Sequence, residues 1–109
     1  MPTVKSLQDA ANKARVDAQA QRDIATKQRQ LADDYLSNSD MQRFNAANAV
    51  AQQSDQKAVS LESDAVKLQQ QATELEQQAA NLADKENKLN QQHQAEIDSL
   101  VQQQQSLRG

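Results

Sequence analysis

No cysteine occurs among the 109 residues, so the chain has no disulfide, no thiolate nucleophile and no cysteine-ligated zinc. Proline occurs once, at Pro2, and glycine once, at Gly109. Nothing between them punctuates a helix, and a phosphate-cradling glycine loop is excluded. The only aromatic residues are Tyr35 and Phe44. A globular core normally draws on more large side chains. A buried methyl contributes about 0.8 kcal/mol, against roughly 1.5–3 kcal/mol for a whole buried leucine. The expected product is long, thin and helical.

Long apolar runs are missing too. The start, Met1 to Lys5, leads into none, so neither a signal peptide nor a transmembrane segment is expected. The lack of cysteine suits a reducing compartment, and a cytoplasmic location is expected. The formal net charge is −3, with acids and bases interspersed and no basic stripe. Nucleic acid is therefore not an expected partner, and an anionic membrane surface is an unlikely one.

What the chain does have is a seven-residue ladder. Leu61, Leu68, Leu75, Leu82 and Leu89 recur every seventh residue, and Ala58, Ala65, Ala72 and Ala79 recur three residues ahead of them. This is a two-position seam with Ala at a and Leu at d. The first third carries a matching stripe: Val4, Leu7, Ala11, Ala14, Ala18, Ala25, Ala32 and Tyr35, with Gln21 and Gln28 at the remaining positions. Ile24 and Leu31 widen it.

The composition predicts one helical domain over 1–109: a helix over 6–36, a turn over 37–40, a helix over 40–99 and a frayed tail over 100–109. Ser6 with Asp9 is a weak capping box for the first helix, with Thr3 a rival cap. Ser37, Asn38, Ser39 and Asp40 are four short polar residues that favour turns over helix interior. Ser39 with Gln42 forms a second capping box, and Asp40 puts negative charge in the new first turn.

Antiparallel pairing gives facing positions a constant residue-number sum. Tyr35 with Met41, Ala32 with Phe44, Ala25 with Ala51, Ala18 with Ala58, Ala11 with Ala65 and Val4 with Ala72 all add to 76. Leu7 with Leu68, Ala14 with Leu61, Gln21 with Ser54 and Gln28 with Ala47 add to 75. One register serves both rows. Small residues face small residues, which lets helix axes approach closely, and Tyr35, Phe44 and Met41 plug the turn. Arg15, Arg22 and Arg29 recur every seven residues on the flank and are expected to face acids such as Asp55 and Glu62.

That register exhausts the first helix near Ala72. Leu75, Ala79, Leu82 and Leu89 are left over, and with Leu61 and Leu68 they form the expected interaction seam. An isolated helix of this length is marginal in water, so the leftover seam needs a cover. A homo-oligomeric helical bundle is expected, an antiparallel dimer most simply, with a different helical protein as a possible partner. The rival is a second turn within 81–90, where Asn81, Asn87 and Asn90 cluster.

Chemistry has little to work with. His93 is the only histidine; it falls at a, with Glu86 one heptad earlier, Glu96 at the next d and Gln103 at the d after that. Polar seam residues set register or mark a seam's end. A metal site would need repeated carboxylate motifs that are missing, so no metal or cofactor is expected. Asp33, Asp34 and Asp40 lack the glycine and ligand spacing of a calcium loop. No nucleophile–base pair is visible, and a thin hairpin makes no deep pocket. The expected function is a non-enzymatic coiled-coil spacer, adaptor or assembly subunit. The alternative is a stress-protective or membrane-surface amphipathic helix, which would show a broader, lysine-edged apolar face.

Overall fold

The computed structural model describes Met1–Gly109 and is all-α. Helix α1 spans Val4–Ser37 and helix α2 spans Met41–Arg108. The chain divides into two units, Met1–Thr73 and Glu74–Gly109.

The first unit is an antiparallel hairpin of α1 and the opening half of α2. Thr3, not Ser6, caps α1. Its backbone is extended, and the capping box is reciprocal: the Ser6 N–H donates to Thr3 Oγ1 at 3.1 Å and the Thr3 N–H donates to Ser6 Oγ at 2.8 Å. Ser6 serves as the inner member of the box, so helix begins two residues before 6, the start read from sequence.

The turn is shorter than the four residues expected. Ser37 is the last helical residue and donates its hydroxyl to the Asp33 carbonyl. Asn38 is the C-cap, and Ser39 takes the left-handed conformation with φ of 59°. The Asp40 N–H donates to the Tyr35 carbonyl at 2.8 Å, and the Ser39 N–H to the Leu36 carbonyl at 3.0 Å. These two bonds make a Schellman motif. Serine fills the position that glycine usually takes, in a chain whose single glycine is terminal.

Asp40 then starts α2. Its Oδ1 accepts from the Arg43 N–H at 3.1 Å. The expected Ser39–Gln42 capping box gives way to this arrangement, because Ser39 is committed to the left-handed turn and Asp40 occupies the N-cap. Asp40 thus closes one helix with its backbone and opens the next with its side chain.

The hairpin core is made of alanine. Ala11, Ala18, Ala25 and Ala32 on α1 and Ala51, Ala58, Ala65 and Ala72 on α2 are inaccessible or nearly so. Leu7, Ala14, Ala47 and Ser54 are also buried. No large side chain is fully buried, and no buried polar side-chain atom lacks a partner. Tyr35 and Phe44 are half-buried at the turn, while Met41 is exposed and does not join the plug. As N1 of α2 it precedes the first seam position, which Phe44 takes.

The second unit is helical through Arg108. The expected frayed tail over 100–109 is helix to its penultimate residue, and no turn interrupts 81–90. Gln, Leu, Lys and Glu all propagate helix well, and the three asparagines are too scattered to stop it.

Candidate interaction surface

Two ion pairs fix the register of the first unit. Arg22 grips Glu62 with two parallel bonds, Nε to Oε1 and Nη2 to Oε2, each 2.8 Å. Arg29 Nη2 bonds Asp55 Oδ2. All four residues are e positions, and each pair's residue numbers add to 84. An e position lies four residues after a on each arm. A sum of 84 at e is therefore the sum of 76 at a, and charge and alanine rows agree on one alignment. Arg15 departs from the expected pattern. The e position facing it is Gln69, and its guanidinium donates to Asn12 Oδ1 at 3.0 Å instead.

The Arg22 hydrogen bonds hold the Glu62 carboxyl below the usual carboxylate range, with partial desolvation opposing. Glu62 reciprocally raises the Arg22 guanidinium, by the same hydrogen bonds and by charge attraction. Both side chains are substantially exposed, so the pairs select register more than they hold the fold together. Near the turn, Arg43 lies 5.9 Å from the centre of the Tyr35 ring and 3.5 Å from the Asp40 carboxylate. These contacts tie the acidic turn to the start of α2 and account for part of its charge.

The heptad leucines divide between the units. Leu61 and Leu68 are half-buried in the first. In the second, Leu75 is half-buried and Ala79 is exposed. Leu82 and Leu89 are 65% and 55% exposed. Ile97, Leu100, Val101 and Leu107, none of which the heptad reading includes, are exposed as well. The signal that finds Ile97 and Leu100 is a change of step, from seven residues to eleven: Glu86 to Ile97 and Leu89 to Leu100. A strict heptad search loses the stripe at His93 for that reason.

His93, Glu86 and Glu96 are exposed on α2. No group of three or more His, Cys, Asp or Glu side chains gathers where a metal ion would sit. An open concavity of about 550 Å³ is lined by Ser99, Gln102, Gln103, Ser106 and Leu107, with no titratable side chain in it. No helix is long and apolar enough to cross a membrane.

Comparison of the chain with family models, with curated proteins and with solved structures finds no match.

Proposed function

We propose that the protein is a non-enzymatic structural and interaction module that self-associates through the second unit. The observation that carries this reading is the exposed leucine pair, Leu82 and Leu89, at the same heptad phase as the buried core of the first unit. Covering each leucine contributes roughly 1.5–3 kcal/mol, and both copies contribute. Against this stands the loss of translational and rotational freedom on pairing, about 4 kcal/mol or more. A stripe of several apolar residues per copy is needed to exceed that cost, and the second unit has one. Recognition then uses helix faces, with nothing turned over, no nucleic acid bound, and a cytoplasmic setting that suits a cysteine-free chain.

Thermal unfolding followed by circular dichroism tests the reading. Association couples folding of the second unit to protein concentration. The melting temperature is expected to rise across a hundredfold concentration range. Leu82→Asp, which forces a carboxylate into the seam, is expected to remove that dependence. A wild-type melt that is independent of concentration overturns the proposal.

A further inference from the structure

The exposed stripe of the second unit has an internal symmetry. Leu89 and His93 lie two residues either side of Gln91, Leu82 and Leu100 nine either side, and Leu75 and Leu107 sixteen either side. Gln91 is itself at the centre of Glu74–Gly109. The stripe is also straight. Leu82 and Leu100, Leu89 and Leu107, and Ala79 and Ile97 are each eighteen residues apart, which is five whole turns at about 3.6 residues per turn. The eleven-residue step after Glu86 cancels the drift that a pure heptad would accumulate. The helix is continuous throughout; Leu82, Leu89, Leu100 and Leu107 are exposed, and Leu75 is half-buried.

We infer that the stripe is one face of a two-fold antiparallel seam with a second copy of this chain, its axis passing near Gln91. The inference rests on the self-association proposed above and assigns its orientation and register. A two-fold contact requires one patch to complement itself, and here leucine matches leucine at two of the three symmetric levels. Leu82 meets Leu100 of the partner copy, Leu89 meets His93, and Leu75 meets Leu107 at each end.

Charge supports the same alignment. Lys85 lies six residues before Gln91 and Glu96 five after, both on the same flank of the stripe. An antiparallel two-fold brings equal flanks together, so Lys85 of one copy meets Glu96 of the other, twice. A parallel two-fold sets equal flanks on opposite sides of the seam, so Lys85 and Glu96 do not meet there. Glu86 is the adverse residue: it enters the seam opposite Ile97. A polar residue there costs stability and discriminates between registers. The second unit carries six acids and three bases, so its copies repel at long range. Beyond the Debye length, about 8 Å at physiological salt, that repulsion is screened.

Spin labels distinguish the orientations because the chain has no native cysteine. Gln91→Cys and Gln105→Cys each place one label per copy on an exposed position of the full chain. The antiparallel seam gives a short distance at 91, about 25 Å or less. It gives a long one at 105, where the partner's label lies opposite residue 77, about 42 Å along the helix. Short distances at both sites mean a parallel seam, which overturns this inference but leaves self-association standing. No intermolecular coupling at any concentration overturns both. As a second arm, Lys85→Glu and Glu96→Lys are each expected to weaken association by about tenfold, since two symmetric pairs become repulsive. The double variant is expected to restore it. Failure of that rescue contradicts the assigned register.

Discussion

The two units share one heptad phase and use it in opposite ways. In the first unit the alanines at a have almost no exposed surface, Leu61 and Leu68 at d are half-buried, and the charge balances at nine bases and nine acids. In the second unit Leu82 and Leu89 at d stand exposed, and the whole net charge of the chain, −3, is concentrated there. An alanine seam closes tightly on a partner that the turn has already placed beside it, where little chain entropy remains to be overcome. A leucine seam removes more apolar area per residue, which a separate partner requires. The same leucine row is half-buried at Leu61 and Leu68 and exposed at Leu82 and Leu89.

The sharpest break of this comparison is an alanine-to-leucine change in each unit. At Ala58, which is fully inaccessible, leucine is expected to overpack the hairpin and destabilise it by about 1–3 kcal/mol in urea unfolding. At exposed Ala79 the same change is expected to cost nothing and to tighten association. Equal losses at both sites would erase the distinction between the units. Glu86→Leu acts on the second unit alone. It replaces the one charged residue inside the stripe, and association measured by sedimentation is expected to strengthen by about tenfold or more.

The turn gives smaller effects confined to the first unit. Asp40→Ala removes the N-cap of α2 and is expected to lower stability by about 1 kcal/mol. Ser39→Gly relieves the left-handed conformation and is expected to raise stability by up to about 1 kcal/mol in the same unfolding assay. The smallest effect is electrostatic. Glu62 has its carboxyl depressed in the folded hairpin, so its contribution is present above the ordinary carboxylate range near pH 4.3. It is lost as pH falls through the lowered folded value. Glu62→Gln is expected to flatten that part of the stability–pH curve, measured as melting temperature between pH 6 and 2.

Much of the hairpin was legible in the sequence because its core repeats. Ala11, Ala18 and Ala25 announce a face, and a matching face on the other arm leaves few alignments. The flank arginines were legible for the same reason, but Arg15 was not, since a spacing rule says nothing of the residue that meets it, Gln69. Caps were less legible. Thr3, Ser6, Ser39 and Asp40 all suit a helix start, and the choice among them depends on φ and ψ rather than on residue type. The outward surface was only half legible. Ile97 and Leu100 belong to it by an eleven-residue step, which a seven-residue template passes over. His93 therefore looked like a terminus where the structure shows uninterrupted helix and further exposed apolar residues.

The central claim is that the leucine stripe of the second unit is covered by another copy. Sedimentation equilibrium on the wild-type chain and on Leu82→Asp tests it most directly, because mass is read without labels or a partner's identity. The expected result is a wild-type species of twice the chain mass at micromolar concentration, and a single-chain mass for Leu82→Asp under the same conditions. A wild-type chain that sediments as one copy up to millimolar concentration, with its helicity intact, would contradict the account.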